Sequence, residues 1–98
     1  MNFEWDEDKN SKNRLKHGVS FQTAALAFTD PMHVSIQDRV VDGEERWQTI
    51  GQVNGQILIL VAHTILDEHT NEETIRIISA RKVEPKEKSR YEQANQNY

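Results

Sequence analysis

Cationic side chains and a histidine lie on the two most apolar segments of the chain. Arg76, Arg81 and Lys82 belong to the last apolar segment, and His63 directly follows the apolar run at 57–62. Arginine offers a planar fork of donors that suits phosphate, and histidine exchanges protons near neutral pH. These residues are compatible with metal-free RNA cleavage. In that reaction a base activates the 2′-hydroxyl, cations stabilise the phosphorane and an acid protonates the 5′-oxygen.

Each of these residues also has a purely structural interpretation. Strict alternation along a strand places Arg76 and Arg81 on opposite faces of the sheet. An arginine between isoleucines is costly unless it is paired or faces a cleft, so a salt bridge is an equal alternative for Arg76. The acidic residues considered for that bridge are Glu4, Glu44 and Glu45. His63 is equally compatible with a buried, hydrogen-bonded histidine at a strand end.

Several other chemistries are excluded or weakly supported. The chain has no cysteine, which excludes disulfides, thiolate nucleophiles and cysteine-ligated metals. It contains no glycine-rich phosphate loop, no His-Glu-x-x-His and no Gly-x-Ser-x-Gly motif. No two of the four histidines have the i, i+4 spacing of a helical zinc site. The sequence therefore predicts no metal and no cofactor.

Length and charge indicate a small acidic protein with a local basic segment. The 98 residues carry a net charge of −4 and predict one domain over residues 1–98. Residues 1–20 are balanced, 21–73 sum to −7 and 74–98 to +3. A basic face on an acidic protein could serve a phosphate backbone, although ordinary solvated charge explains it as well. The short apolar run and the polar start predict neither a membrane span nor a signal peptide, hence a cytoplasmic protein.

Hydrophobic periodicity predicts the element order β-α-α-β-β-β-β-α. A short strand at 3–5 precedes a polar surface helix at 7–16, and a second helix begins after Ser20. Four strands follow, near 32–36, 46–53, 56–65 and 74–82, and the third of these is predicted to be central because both its faces are apolar. Asp42-Gly43 and Asn54-Gly55 predict turns, an acidic loop spans Asp67–Glu73, and a last helix runs from Pro85 to about 95. This order predicts an α+β fold, an antiparallel meander of four to five strands with two N-terminal helices and one C-terminal helix.

An ordered set of motifs resembles the BrnT family of toxins from type II toxin–antitoxin modules. The resemblance runs over about residues 3–92, and no single motif decides it. Its parts are Phe3-Glu4-Trp5-Asp6, Lys16-His17-Gly18-Val19-Ser20-Phe21, Phe28-x-Asp30-Pro31, Glu44-Glu45-Arg46-Trp47 and Arg76-Ile77-Ile78-Ser79-Ala80-Arg81-Lys82, with Tyr91 after them. Two features depart from the family: the acidic overall charge and the acidic stretch Asp67–Glu73.

The resemblance implies a RelE-like, microbial-ribonuclease-like fold and metal-independent RNA cleavage that arrests growth. It implies an RNA substrate and a BrnA-like antitoxin with a ribbon-helix-helix DNA-binding part, assembled as a dimer of heterodimers. The implied catalytic residues are Arg76 and Arg81, which would stabilise the phosphate, and His63 as a candidate acid or base. The implied RNA-binding residues are Arg46, Lys82, Lys16, His17 and Tyr91.

One alternative from another functional class stays open. The −7 segment at residues 21–73 would suit a basic partner. The chain is therefore also compatible with a non-catalytic interaction module that only binds a basic, antitoxin-like protein.

Overall fold

The predicted order of elements is confirmed by a computed structural model, which describes residues 1–67 and 73–96. The strands are β1 (Asn2–Glu4), β2 (Val34–Val41), β3 (Glu44–Val53), β4 (Ile57–Asp67) and β5 (Glu73–Lys82). The helices are α1 (Glu7–His17), α2 (Phe21–Leu26) and α3 (Pro85–Ala94), and a single 3₁₀ turn at Ala27–Thr29 extends α2. Most of the predicted acidic loop, at 68–72, lies outside the described residues, and its two end residues pair as strand.

The strands form one sheet in the order β1-β5-β4-β3-β2. Strands β2 to β5 make an antiparallel meander, so β4 is central as predicted. Both predicted turns have left-handed residues, with φ of 51° and 78° at Asp42 and Gly43 and 54° and 66° at Asn54 and Gly55. Such conformations match the twist of tight hairpins and favour Asn, Asp and Gly. β1 joins the edge parallel to β5, with Phe3 beside Ile75.

The helices α1 and α2 cover one face of the sheet, here called the helix-packed face. Its core includes Phe21, Phe28, Val61 and Ile77, all largely excluded from solvent. The two phenylalanines come from the apolar stripe of α2 and the 3₁₀ turn that extends it, and the other two residues come from alternate positions of β4 and β5. This is the arrangement expected from a period of about 3.6 residues in a helix and of two residues in a strand. The hydrophobic core therefore lies between the sheet and the α1–α2 layer.

α1 is held to this layer by two buried asparagines rather than by apolar side chains. Its only leucine, Leu15, is 86% exposed. Asn13 Nδ2 donates to the carbonyl oxygens of Val19 (2.9 Å) and Ala80 (2.8 Å), and Asn13 Oδ1 accepts from Ala80 N at 3.2 Å. Asn10 Oδ1 accepts from the backbone N of Phe21 at 2.8 Å, which joins α1 to α2.

A β-bulge in β5 corrects the prediction that Arg76 and Arg81 lie on opposite faces. Arg81 pairs with Leu60 and Arg76 with Thr64, and these partners are four residues apart on β4. The register shifts between Ala62 and His63, so that Ile78 is one extra residue on β5. In a regular strand, two residues separated by an odd number of positions face opposite sides of the sheet. One bulged residue between them brings both side chains to the same side. Arg76 and Arg81 therefore both project from the face opposite α1 and α2, here called the arginine face.

α3 packs on the arginine face and is attached by polar contacts. Arg81 binds Glu87 near the start of α3. Tyr91 Oη donates to Asp30 Oδ2 at 2.7 Å, and Asn95 Nδ2 donates to the carbonyl oxygen of Met32 at 3.0 Å. Both ends of α3 are thus fastened, one to β5 and one to the turn that precedes β2.

Candidate functional site

Two arginines flank a threonine in one row across the arginine face. Arg76 on β5 pairs with Thr64 on β4. Trp47 on β3 pairs with His63, so the antiparallel register brings Arg46 beside Thr64. Neighbouring strands lie about 4.8 Å apart, which places the backbones of Arg46 and Arg76 about 10 Å from each other. Two long guanidinium side chains at that spacing can reach a single anion between them.

Arg76 forms a surface ion pair with Glu4, its neighbour across the β1–β5 pairing. Its Nε and Nη2 atoms each lie 2.8 Å from Glu4 Oε1, and the two side chains are 50% and 44% exposed. The predicted structural alternative, a salt bridge from Arg76 to Glu4, is therefore confirmed. Exposed pairs of this kind contribute about 0–1 kcal/mol, so a phosphate can replace the carboxylate at low cost.

Arg46 carries a buried donor that has no partner among the described residues. Its Nη2 lies 3.6 Å from Glu44 Oε1, whereas its Nε–H is buried without a hydrogen bond. The hydroxyl of Thr64 in the same row is also buried and unpartnered. Leaving such a group unsatisfied costs about 1–3 kcal/mol. The Arg46 side chain as a whole is 27% exposed, so a ligand would meet its accessible atoms rather than the buried Nε–H.

Arg81 is engaged by α3. Its Nη1 and Nη2 atoms donate to Glu87 Oε1 and Oε2 at 2.8 and 2.7 Å. Glu87 is almost fully buried and also accepts from the backbone N of Glu84 at 2.8 Å. The hydrogen bond from Arg81 is the main reason that the pKa of Glu87 lies below its usual value. A bidentate, partly buried pair is far more persistent than the Arg76 pair, so Arg81 fixes the position of α3.

His63 lies on the helix-packed face, away from the three arginines. It is 1% exposed and meets the ring of Phe28 edge-on at a centroid distance of 5.0 Å. Its Nε2 is 2.7 Å from the hydroxyl of Thr49, which in turn is 2.7 Å from the hydroxyl of Ser35. Burial lowers the pKa of His63 to about 4, because the charged imidazolium is poorly solvated there. The ring is therefore neutral at physiological pH.

The remaining sequence-derived candidates lie outside the arginine row. Lys16 and His17 are at the C-terminal end of α1, in the layer on the other side of the sheet, and Lys82 is at the exposed end of β5. Tyr91 is on α3 with its hydroxyl bound to Asp30. Burial and that hydrogen bond raise the pKa of Tyr91 to about 12. Tyr91 thus fastens α3 and holds its proton in the physiological range.

Sequence reasoning missed two members of the site. Thr64 follows Leu58, Leu60 and Ala62 on one face of β4. A hydroxyl side chain at the end of this apolar series is the signal from which Thr64 could have been recognised as a site residue. The role of Glu87 could not be predicted, because nothing in helix periodicity shows that it reaches back to Arg81. Both residues depend on strand register and helix docking.

Two searches of the described residues were negative. Within residues 1–67 and 73–96, no three His, Asp or Glu side chains are grouped so that they could hold a metal ion. The helices in the same part of the chain are all too short or too polar to cross a membrane.

A five-stranded sheet between two helical layers, with arginines on one face, defines a small α+β protein. A family model described as the ribonuclease toxin, BrnT, of type II toxin–antitoxin systems matches residues 5–87. The crystal structure of the Brucella abortus ribonuclease toxin BrnT is similar, with a TM-score of 0.58 and 26% sequence identity over 86% of this chain and 97% of that one. No curated protein matches the sequence significantly. The chain therefore belongs to the BrnT family of ribonuclease toxins, as its motifs predicted.

Proposed function

We propose that this protein is a metal-independent endoribonuclease whose active surface is the part of the arginine face not covered by α3. As a single toxin domain it would cleave cytoplasmic RNA and arrest growth. The observation that carries the proposal is the row in which Arg46 and Arg76 flank Thr64. The side chain of Arg76 is half-exposed and that of Arg46 is partly exposed. Membership of a ribonuclease toxin family supports the same activity.

The proposed reaction is attack of the 2′-oxygen of RNA on the adjacent phosphorus. The bond from O2′ to phosphorus forms, the bond from phosphorus to O5′ breaks, and the 2′ proton is transferred overall to the 5′-oxygen. Arg46 and Arg76 would stabilise the additional negative charge of the phosphorane between them. His63 contacts neither arginine and stays neutral, so we assign it a structural role in the core. We assign the proton transfers of the reaction to water molecules.

The test is cleavage of RNA by the purified, antitoxin-free protein in the presence of EDTA. Wild type is compared with Arg46→Gln and Arg76→Gln, which remove one cation and keep a polar side chain that can still donate a hydrogen bond. Removing one pre-positioned donor costs about 100- to 1000-fold in rate, and each variant should show that loss. Arg39→Gln is the matched control, because Arg39 is an exposed cation on β2. Equal cleavage by all four proteins would refute the assignment.

The ion pair to Glu4 provides a second, opposite perturbation. Glu4→Gln removes the carboxylate that occupies Arg76 while leaving the strand pairing intact. If Arg76 binds the scissile phosphate, this variant should bind RNA more tightly than wild type and show a steeper salt dependence. A Glu4→Gln protein with weakened binding would show that the pair positions Arg76 rather than competes for it.

The proposed partner is a BrnA-like antitoxin with a ribbon-helix-helix part, assembled as a dimer of toxin–antitoxin heterodimers. Membership of a type II toxin family supports an antitoxin partner, and the −7 charge of residues 21–73 would attract a basic segment. Co-expression with the neighbouring reading frame should restore growth. Light scattering of the purified complex would measure its stoichiometry.

A second function is favoured by one specific observation. Both Arg76 and Arg81 are already paired with carboxylates, as expected of a non-catalytic module that binds a basic partner. In that case the protein would bind its antitoxin and leave RNA intact in EDTA and in a translating extract. Cleavage only in the extract would instead indicate a ribosome-dependent toxin.

A further inference from the structure

An open groove of about 430 Å³ lies at the end of the sheet where β3, β4 and β5 meet the start of α3. Its polar lining comes from Gln52, Gln56, Lys82 and Lys88, and Ile57, Leu58 and Val83 supply apolar surface. The backbone N of Val83 donates to the carbonyl oxygen of Leu58 at 3.3 Å, which fastens the start of β4 to the segment leading into α3.

The groove lies at the end of the sheet where its two faces meet. Gln52 and Leu58 belong to the arginine face, whereas Lys82 pairs with the core residue Ile59 and therefore starts from the helix-packed face. Gln52 pairs with Leu58 on the hairpin that ends β3 and begins β4.

Leu58 is six residues from Thr64 along β4, and both belong to the alternating set on the arginine face. At about 3.3 Å per residue the separation is about 20 Å. Leu60 lies between Leu58 and Thr64 on this face and is buried, and its partner Arg81 is bound by Glu87 of α3. RNA that binds both the arginine row and the groove must therefore pass beside α3.

The polar groups of the groove are available to a ligand. Among the described residues, no carboxylate pairs with the ammonium groups of Lys82 and Lys88, and no hydrogen bond occupies the side-chain amides of Gln52 and Gln56. Ile57 is 42% exposed beside them. Two free cations, two free amides and an apolar floor thus share one cleft.

This combination matches a single-stranded nucleotide better than an acidic peptide. Unstacked bases bind to apolar or aromatic surface and present hydrogen-bonding edges to amide side chains, while lysines bind the adjoining phosphates. An acidic peptide would use the lysines and leave the amides and the apolar floor unused.

We propose that this groove is a nucleotide subsite for single-stranded RNA. A base lies against Leu58 and Val83, its edge is read by Gln52 or Gln56, and neighbouring phosphates lie at Lys82 and Lys88. The proposal rests on the proposed RNA-cleaving function and adds to it the site that sets base preference. It assigns roles to Gln52, Gln56 and Lys88 that the catalytic row does not require.

The test measures binding of short single-stranded homopolymers with 2′-O-methyl groups, which the proposed reaction cannot cleave, by fluorescence anisotropy at several salt concentrations. Lys82→Gln/Lys88→Gln should bind about tenfold more weakly, and its salt slope should fall by about 1.4, the value for two phosphate contacts on a single strand. Lys12→Gln/Arg39→Gln removes two exposed cations elsewhere and should match wild type. Gln52→Leu and Gln56→Leu should reduce the difference in affinity among the four homopolymers.

Two outcomes would overturn the groove assignment. One is an affinity and salt slope of the lysine variant equal to those of the matched control. The other is competition by polyglutamate as effective as that by RNA, which would indicate an acidic protein ligand. A different result would refute the proposed catalytic function and leave the groove assignment intact. In that case the wild-type protein would bind the methylated RNA through the two lysines but would not cleave unmodified RNA in EDTA.

Discussion

The burial of His63 predicts a stability that falls in mild acid. The imidazole has a pKa of about 4 in the folded protein and about 6.5 in the unfolded chain. Between these values the unfolded chain binds a proton that the folded protein does not, so the free energy of unfolding rises with pH across this window. The stabilisation is complete above about pH 6.5 and is lost as the pH falls toward 4.

The size of this effect follows from the difference between the two pKa values. One pKa unit corresponds to about 1.4 kcal/mol, so the full difference is about 3 kcal/mol. Lowering the pH from 7.5 to 5 should remove about 2 kcal/mol of it. The pKa values of two carboxyl groups are also lowered. At Asp30 burial raises the pKa, but hydrogen bonds, above all from Tyr91, outweigh it, and at Glu87 the hydrogen bond from Arg81 is the main cause. The stability that these carboxylates contribute is lost mainly at pH values below this window.

The assay is urea denaturation followed by tryptophan fluorescence, with Trp47 paired opposite His63. Wild type is compared with His63→Gln, which is less stable at pH 7.5 but has no imidazole to titrate at that position. The difference between the two proteins should shrink by about 2 kcal/mol on going from pH 7.5 to 5. Parallel curves, or a ring that titrates near 6.5 by NMR in wild type, would refute the reasoning and return His63 to the list of acid–base candidates.

Three further predictions concern how the layers are joined. Asn13→Ala breaks the hydrogen bonds to Val19 and Ala80 and should cost about 3 kcal/mol, whereas the exposed Leu15→Ala should change the urea midpoint little. Gly51→Ala should cost about 2–3 kcal/mol, because the new Cβ would overlap the carbonyl oxygen of Ala27; an unchanged melting temperature would contradict that close approach. Ultraviolet titration should show Tyr91 ionising near pH 12, and Tyr91→Phe should remove that transition and accelerate hydrogen exchange in α3 without unfolding the sheet.

The helices and strands could be predicted well from the sequence because the periodic spacing of their apolar residues is uninterrupted. The stripe of Phe21, Ala24 and Phe28 indicated the buried side of α2, and alternation along β4 placed Ile59, Val61 and His63 on one face; all of these lie on the helix-packed face. Both Asp-Gly and Asn-Gly turns formed where predicted. In each case, local backbone preference and burial agree.

The candidate site was harder to predict because it depends on irregular and long-range features. No residue type marks the bulge at Ile78, so strict alternation separated Arg76 from Arg81 wrongly. The pairing of Arg76 with Glu4 requires a parallel contact between β1 and β5, and three residues are too few to show a period. α1 has no apolar stripe, so hydropathy could not reveal that Asn10 and Asn13 anchor it.

The contacts of α1 and β1 have a consequence for synthesis on the ribosome. The amide of Asn13 binds the backbone of Ala80, and Phe3 lies beside Ile75. The first elements to emerge therefore lack their partners until β5 has left the exit tunnel, and a helix of this length is marginal in water without tertiary contacts. Glu4 meets Arg76 at the same late stage. The arginine row is thus assembled only after β5 has emerged, so a nascent chain that stops before β5 would be inert.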